Sequence, residues 1–381
     1  MGTPQGAIVR KSGISVTVFA VSLIVVAVGA GLGGYFVPKL FQSSSSNLTL
    51  TGAGSTFVYP LISAIDTNYT AINPHILINY QAVGSGTGIN DLSAKTVEFG
   101  ASDAPLSSTQ IQGAPNTVTI PDTIGAVVIG YNLPGIASGL QLNVSVAAQI
   151  FNGNIKYWNA SEIQALNPTL TLPYQPITIV HRSDSSGTTF VFSGWLTSSP
   201  DWGLGQSKTI SWPASAIGAN GNPGVAAVVQ GTKYAVGYVE LDYALSASPA
   251  ITYANIWSSS SNAFITPTLA STTLAASNIP SLPSGDNASA WQPINLLNSN
   301  TQGAYPIVTF SYIMVFKELN VYGSAMSLTT AQDLVNFLWF VVHQGQNQAT
   351  PLDYVALPAN VVANAEASIN SITYNGAQVH S

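Results

Sequence analysis

The chain has 381 residues, no cysteine, 46% hydrophobic and only 6% charged residues, and a net charge of -6. That length buries a sizeable core and ordinarily divides into two domains. The lack of cysteine excludes disulfides, thiolate metal sites, cysteine nucleophiles and a lipid-bearing N-terminal cysteine, and nine basic residues leave no electrostatic footprint for nucleic acid.

Between Lys11 and Lys39 there is no charge. The apolar run over 14–37 exceeds the ~20 residues that span a bilayer. Arg10 and Lys11 before it predict a cytoplasmic N-terminus over 1–11 and a single transmembrane anchor over 12–38. Small residues around Gly29 to Gly34 also suit a cleaved signal peptide; the length of the run favours the anchor. A serine-rich linker over 39–47 follows. Five Asn-x-Ser/Thr sequons, at Asn47, Asn68, Asn143, Asn159 and Asn287, agree with an exported, glycosylated body. A body with so few titratable groups has little to lose in acid, so an acidic exterior is one expectation. A neutral glycosylated surface is the other.

The body opens with a short strand pattern at Leu48, then Gly52-Ala-Gly-Ser-Thr-Phe57 and an apolar helix face from Val58 to Ile65. The same grammar returns twice. Ile76 to Tyr80 reads as a strand, Gly84 to Gly88 as a turn, and Ile89 onward as helix; Ile177 to Val180 reads as a strand, His181 to Gly187 as a loop, and Thr188 to Leu196 as helix. Strand, small-residue turn, helix predicts an α/β fold with a largely parallel sheet. Each turn ends at a helix N-terminus, where unpaired N–H groups and the dipole favour an anion. Taken singly these are ordinary capped turns; three of them, one carrying Arg182, the only arginine after Arg10, point to one anion site. A fourth segment, Val97 to Pro105, sets Asp103 at a strand end, where a carboxylate repels an anion unless that anion carries a proton.

Four motifs carry a resemblance: Thr51-Gly-Ala-Gly-Ser-Thr-Phe57, Tyr80-Gln-Ala-Val-Gly-Ser85, Phe99-Gly-Ala-Ser-Asp-Ala-Pro-Leu106 and Arg182-Ser-Asp-Ser-Ser-Gly-Thr188. In this order they resemble the phosphate-binding subunit of the bacterial and archaeal ABC-type phosphate importer. The resemblance implies a two-lobe periplasmic-binding-protein-like (type II) clamp with a hinge, lobe one over 48–127 and 306–381 and lobe two over 128–305. It implies phosphate contacts from Thr56, the Phe57 N–H, Ser85, Asp103, Arg182, Ser186, the Gly187 N–H and Thr188, with Asp184 orienting Arg182. It implies as partners inorganic phosphate and an ABC permease with its ATPase subunits, with no cofactor and no catalysis. The expected place is the cell membrane, single-pass, the body outside, in a form typical of an archaeal member. The chain departs from the family pattern at Gly84-Ser-Gly-Thr, at Ser55 for a frequent alanine and at Ser185 for a frequent glycine; the contact positions remain.

Two further readings stay open here. A surface hydrolase would use His181 with a nearby serine, but Gly-x-Ser-x-Gly is absent and no histidine pair has metal spacing. A structural or adhesive surface protein fits the anchor and sequons but has no use for Arg182 beside Asp103. Phe337 to Val342 reads as the core face of an amphipathic helix, and Trp195, Trp202 and Trp212 as packing residues.

Overall fold

The computed structural model describes residues 48–379. The expected membrane segment and the Asn47 sequon lie outside them, and no helix among the described residues is long and apolar enough to cross a membrane. Of the sequons within, Asn68, Asn159 and Asn287 are exposed, whereas Asn143 is half-buried and caps a helix by accepting from the Val146 N–H.

A nine-stranded sheet forms the spine. Its strands are β1 (Leu48–Gly54), β2 (Ile76–Gln81), β3 (Phe99–Ser102), β4 (Thr117–Tyr131), β5 (Thr178–Arg182), β6 (Ile217–Ala219), β7 (Ala235–Glu240), β8 (Thr252–Tyr253) and β9 (Val308–Phe316). The order across the sheet is β2-β1-β3-β9-β4-β7-β5-β6, with β8 on β4. The expected parallel pairing holds at both flanks, where β1 pairs β2 and β3, and β5 pairs β6 and β7. The centre differs: β9 runs antiparallel to β3 and β4, and β4 antiparallel to β7. The reason is length. β4 is 15 residues long and buried throughout, and it crosses from one flank to the other. Its partner changes midway, from Val308 at Ala126 to Glu240 at Val127.

Helices follow the parallel strands: α1 (Tyr59–Ile72), α2 (Ser85–Ser93), α3 (Ser108–Gly113), α4 (Gly187–Leu196) and α5 (Gly221–Gly231), with α6 (Leu328–Val342) packing on the first flank. The second of these starts earlier than expected. Gly84 is the N-cap at φ 93°, so Ser85 to Gly88 form the first helical turn instead of a loop. The glycines inside that turn serve close approach: a Cβ on Gly88 would sit 2.3 Å from the Ala53 carbonyl oxygen.

Each flank has its own aromatic core. Phe337 on α6 packs 5.6 Å from Phe99 and 5.3 Å from Tyr69, which makes it core as expected. Phe192 on α4 stacks 4.4 Å from Tyr238 on β7. Trp195 and Trp202 are buried; Trp195 packs on Phe192, and Trp212 packs against Trp202 and Tyr238.

Three buried acids and the half-buried Asp66 are held above the carboxylate range, chiefly by burial: Asp66 at about 7, Asp103 at about 6, and Asp122 and Glu240 well above their ordinary values. Each binds a proton more readily folded than unfolded, so stability grows as pH falls through the folded value. His181, lowered by burial, opposes them. Thermal melting at pH 5 should therefore give a midpoint no lower than at pH 7, and cooperative unfolding on that step would contradict these burials.

Candidate functional site

The loop from β1 to α1 carries Thr56 and Phe57. Three phenols from distant segments hold its carbonyls: Tyr80 donates to Ser55 O at 2.8 Å, Tyr243 to Thr56 O at 2.7 Å and Tyr354 to Phe57 O at 2.5 Å. With those acceptors engaged, the loop offers its N–H groups and hydroxyls at the head of α1. The Phe57 N–H donates to Ser55 Oγ at 3.0 Å, and Ser55 Oγ donates to Asp103 Oδ1 at 2.5 Å. Asp103 follows β3 directly and is 2% exposed. Ser55 thus gives the buried carboxylate a donor.

From the other flank, β5 ends in Arg182. Its Nε and Nη2 donate to Asp184 at 2.7 and 2.5 Å, and Nη1 donates to Thr188 Oγ1 at 3.1 Å. A guanidinium has five N–H donors; three are engaged, and the two remaining are one each on Nη1 and Nη2. That free edge suits bidentate binding of an oxyanion. Asp184 also accepts from the Gly221 N–H at 3.0 Å. Burial pushes Asp184 upward, but the Arg182 bonds and charge and the Gly221 bond together hold it below its ordinary range.

The two flanks meet at the start of α4. The Gly187 N–H donates to Ser85 Oγ at 3.1 Å, and a Cβ on Gly187 would lie 2.6 Å from both Ser85 Oγ and Asp103 Oδ2. Only glycine permits this approach. Ser186 is the α4 N-cap and its hydroxyl accepts from the Thr189 N–H at 3.0 Å. Its hydroxyl oxygen is therefore engaged as an acceptor, while its proton remains to donate. Thr56, Phe57, Ser85, Asp103, Arg182, Asp184, Ser186, Gly187 and Thr188 are all drawn together by these contacts.

Sequence reasoning missed Asn222. Its N–H and Nδ2 both donate to Thr56 Oγ1 at 3.0 Å, Nδ2 also reaches Thr188 Oγ1 at 3.2 Å, and its Oδ1 accepts from the Glu240 N–H. It ties both flanks together while 0% exposed. The signal was present: β6, Asn220-Gly221-Asn222-Pro223 and α5 are a fourth strand–turn–helix unit. Lys208 was missed too. Its Nζ donates to Gln110 Oε1 on α3 at 2.9 Å, and its charge bears on Asp103. Burial lowers Lys208 to about 8, against the opposing pull of Asp103.

Asp103 is pushed up to about 6 by burial, with Ser55, Arg182, Ser311 and Lys208 pulling the other way. Above that value it is an acceptor facing a cluster of donors. The arrangement presents many donors and one carboxylate, a chemistry suited to a tetrahedral anion that carries a proton. It offers no nucleophile–base pair: His181 stacks on Trp212 at 5.3 Å, with Nδ1 against Arg182 O.

A family model for the PBP superfamily domain matches residues 41–346. The phosphate-binding protein PstS of Xylella fastidiosa (strain Temecula1) is 38% identical over 334 residues, covering 87% of this chain and 86% of that one. PstS of Methanocaldococcus jannaschii is 31% identical over 365 residues, covering 91% and 92%. The solved phosphate-binding protein from Stenotrophomonas maltophilia shares the fold, with a TM-score of 0.65 at 20% identity over 83% of this chain and 92% of that one.

Removing one partner of a buried ion pair leaves an uncompensated charge and costs about 3–5 kcal/mol. Asp184→Ala should destabilise by that amount in a denaturant melt, and Arg182→Met with Asp184→Ala by less than Asp184→Ala alone. Additive losses would show the pair to be uncoupled.

Proposed function

The chain belongs to the PBP superfamily and to the PstS family of phosphate-binding proteins, and we propose that it captures inorganic phosphate outside the cytoplasm and delivers it to an ABC importer. It is a receptor, not an enzyme. One observation carries the reading: a buried carboxylate acceptor, Asp103, sits among donors from both flanks and within the field of Arg182.

Phosphate near neutral pH offers oxygens to accept and at least one O–H to donate. In this reading Arg182 takes two oxygens. The N–H groups of Phe57 and Gly187 and the hydroxyls of Thr56, Ser85, Ser186 and Thr188 take the others, exchanging their bonds to one another for bonds to the anion. Asp103 accepts the phosphate O–H, and Asp184 orients Arg182. Sulfate has the same shape but no proton, and would set an oxyanion lone pair against Asp103. Such an unpaired buried charge costs about 2–5 kcal/mol, a discrimination of roughly 30- to 4,000-fold.

The finer points of the reading rest on the sequence. The uncharged run over 12–38 supports an N-terminal membrane anchor, in a single pass, and the exposed sequons support a glycosylated surface. The change of β4 partner at Ala126 and Val127 supports a hinge between lobes 48–127 with 306–381, and 128–305. Closure excludes water and strengthens each polar contact. The loaded form then docks on a permease whose ATPase subunits drive import.

Calorimetric titration of the part from Ser46 onward with phosphate and with sulfate tests the function. Phosphate should bind and sulfate should not; binding of neither would overturn the reading. Asp103→Asn should weaken phosphate binding less than it relaxes refusal of sulfate, and unchanged refusal would remove Asp103 as the discriminator. Gly187→Ala overpacks the meeting point at a cost of about 1–3 kcal/mol. Opening of the lobes relieves that clash, so the variant should weaken phosphate binding about 5- to 150-fold while the melting midpoint without phosphate holds.

A further inference from the structure

β4 carries an irregularity beside the site. Thr123 pairs with Ser311 and Pro121 with Tyr312, so Asp122 is an extra residue bulged out of the ladder. Pro121 has no N–H to give the ladder, and the bulge absorbs it. The Asp122 carbonyl is taken by Gln346 Nε2 at 2.9 Å. Asp122 is 1% exposed, and neither carboxyl oxygen has a hydrogen bond of good geometry, the nearest donors being the N–H groups of Thr123 and Asp122 and the Ser311 hydroxyl. Ser311 is buried and its hydroxyl also lacks a partner of its own, yet it lies against two carboxyls, those of Asp122 and Asp103.

The titratable groups facing Asp122 are Asp103 after β3, Tyr80 on β2 and Tyr312 on β9. All are acids. Two carboxylates cannot both be ionised cheaply in one dry pocket, and the better supported one keeps the charge. Asp103 has Ser55, Arg182 and Lys208 on its side; Asp122, besides the shared Ser311, has only the N–H groups of Thr123 and of its own residue, and no cation.

We propose that Asp122 is a positioning residue that stays protonated and, through the Ser311 hydroxyl, holds Asp103 ionised as the acceptor that refuses sulfate. The Asp122 O–H donates to Ser311 Oγ, and the Ser311 O–H donates to Asp103. With Ser55 already on Oδ1, Asp103 then receives two hydroxyl donors, which favour its charged form. Burial raises both carboxyls, and Asp122 is raised further by the charge of Asp103. No proton is transferred; the pair titrates as a unit and shares one proton across neutral pH. The proposal rests on the reading of Asp103 as the group that senses the proton of phosphate.

Two measurements on the full-length chain test it. Infrared spectra at pH 7.5 should contain the C=O stretch of a protonated carboxylic acid, one component of which disappears in Asp122→Asn. Sulfate competition against phosphate should strengthen as pH falls through about 6 in the wild type. Asp122→Val removes the donor and should move that midpoint upward by about one pH unit, a tenfold change in the proton affinity of Asp103. Asp122→Asn keeps a donor and should leave the midpoint in place. An unmoved midpoint in Asp122→Val, or no acid component lost in Asp122→Asn, overturns the proposal. Should Asp122→Val not fold, the spectrum and the Asp122→Asn profile decide. A wild type that refuses sulfate equally at pH 5 and pH 8 instead removes the Asp103 reading, and the acid component still reports the proton on Asp122.

Discussion

The site depends on one buried ion pair. Arg182 and Asp184 lie two residues apart with side chains 1% and 10% exposed, in a chain where charge is scarce. A lone guanidinium at that depth would cost several kcal/mol, so Asp184 is what allows an arginine there. The pair also organises its neighbours. Asp184 takes the N–H at the head of α5, and Arg182 reaches Thr188 on α4. Gly84 is glycine because a Cβ there would lie 2.3 Å from Asp184 Oδ2. Three helix starts are thus referenced to one carboxylate, and the guanidinium edge left over is aimed by it.

The parts legible in sequence are those whose cause is local. Small residues after a strand announce a helix start, and the motifs that end at Phe57 and Thr188 could be placed on such starts from spacing, whereas Ser85 read as turn and is the first residue of α2. Asp103 was legible because Pro105 ends its segment. What escaped depends on partners distant in the chain. The role of Ser55 appears only when its hydroxyl meets Asp103, 48 positions on. Asn222 meets Thr56 across 166 positions. Asp122 sits in a strand that reads as core, and only the pairing with β9 reveals it as a bulge. The antiparallel centre was hidden for the same reason: strand polarity in the sheet is set by which strands neighbour each other, not by the strand's own residues.

Burial of acids runs through both stability and selectivity. A receptor for an anion must be rich in donors, yet the described residues of this body contain a single arginine. Most donors are backbone N–H groups and hydroxyls, which carry no net charge, and the one acceptor among them is a carboxylate. Polar groups in a dry site are strong when paired and costly when not. The same burial that lifts Asp103 to about 6 therefore makes an unpaired charge there costly.

The position of β1 has a mechanical meaning. It is the first described element, and it lies between β2 and β3 with parallel ladders on both sides. Tension on the N-terminal side of Leu48 would therefore act along the strand and load both ladders in shear, with many hydrogen bonds resisting together. The other end of that strand runs straight into Ser55, Thr56 and Phe57. Such a load would pass from the strand into the binding loop, whose carbonyls three tyrosine hydroxyls hold like anchor bolts.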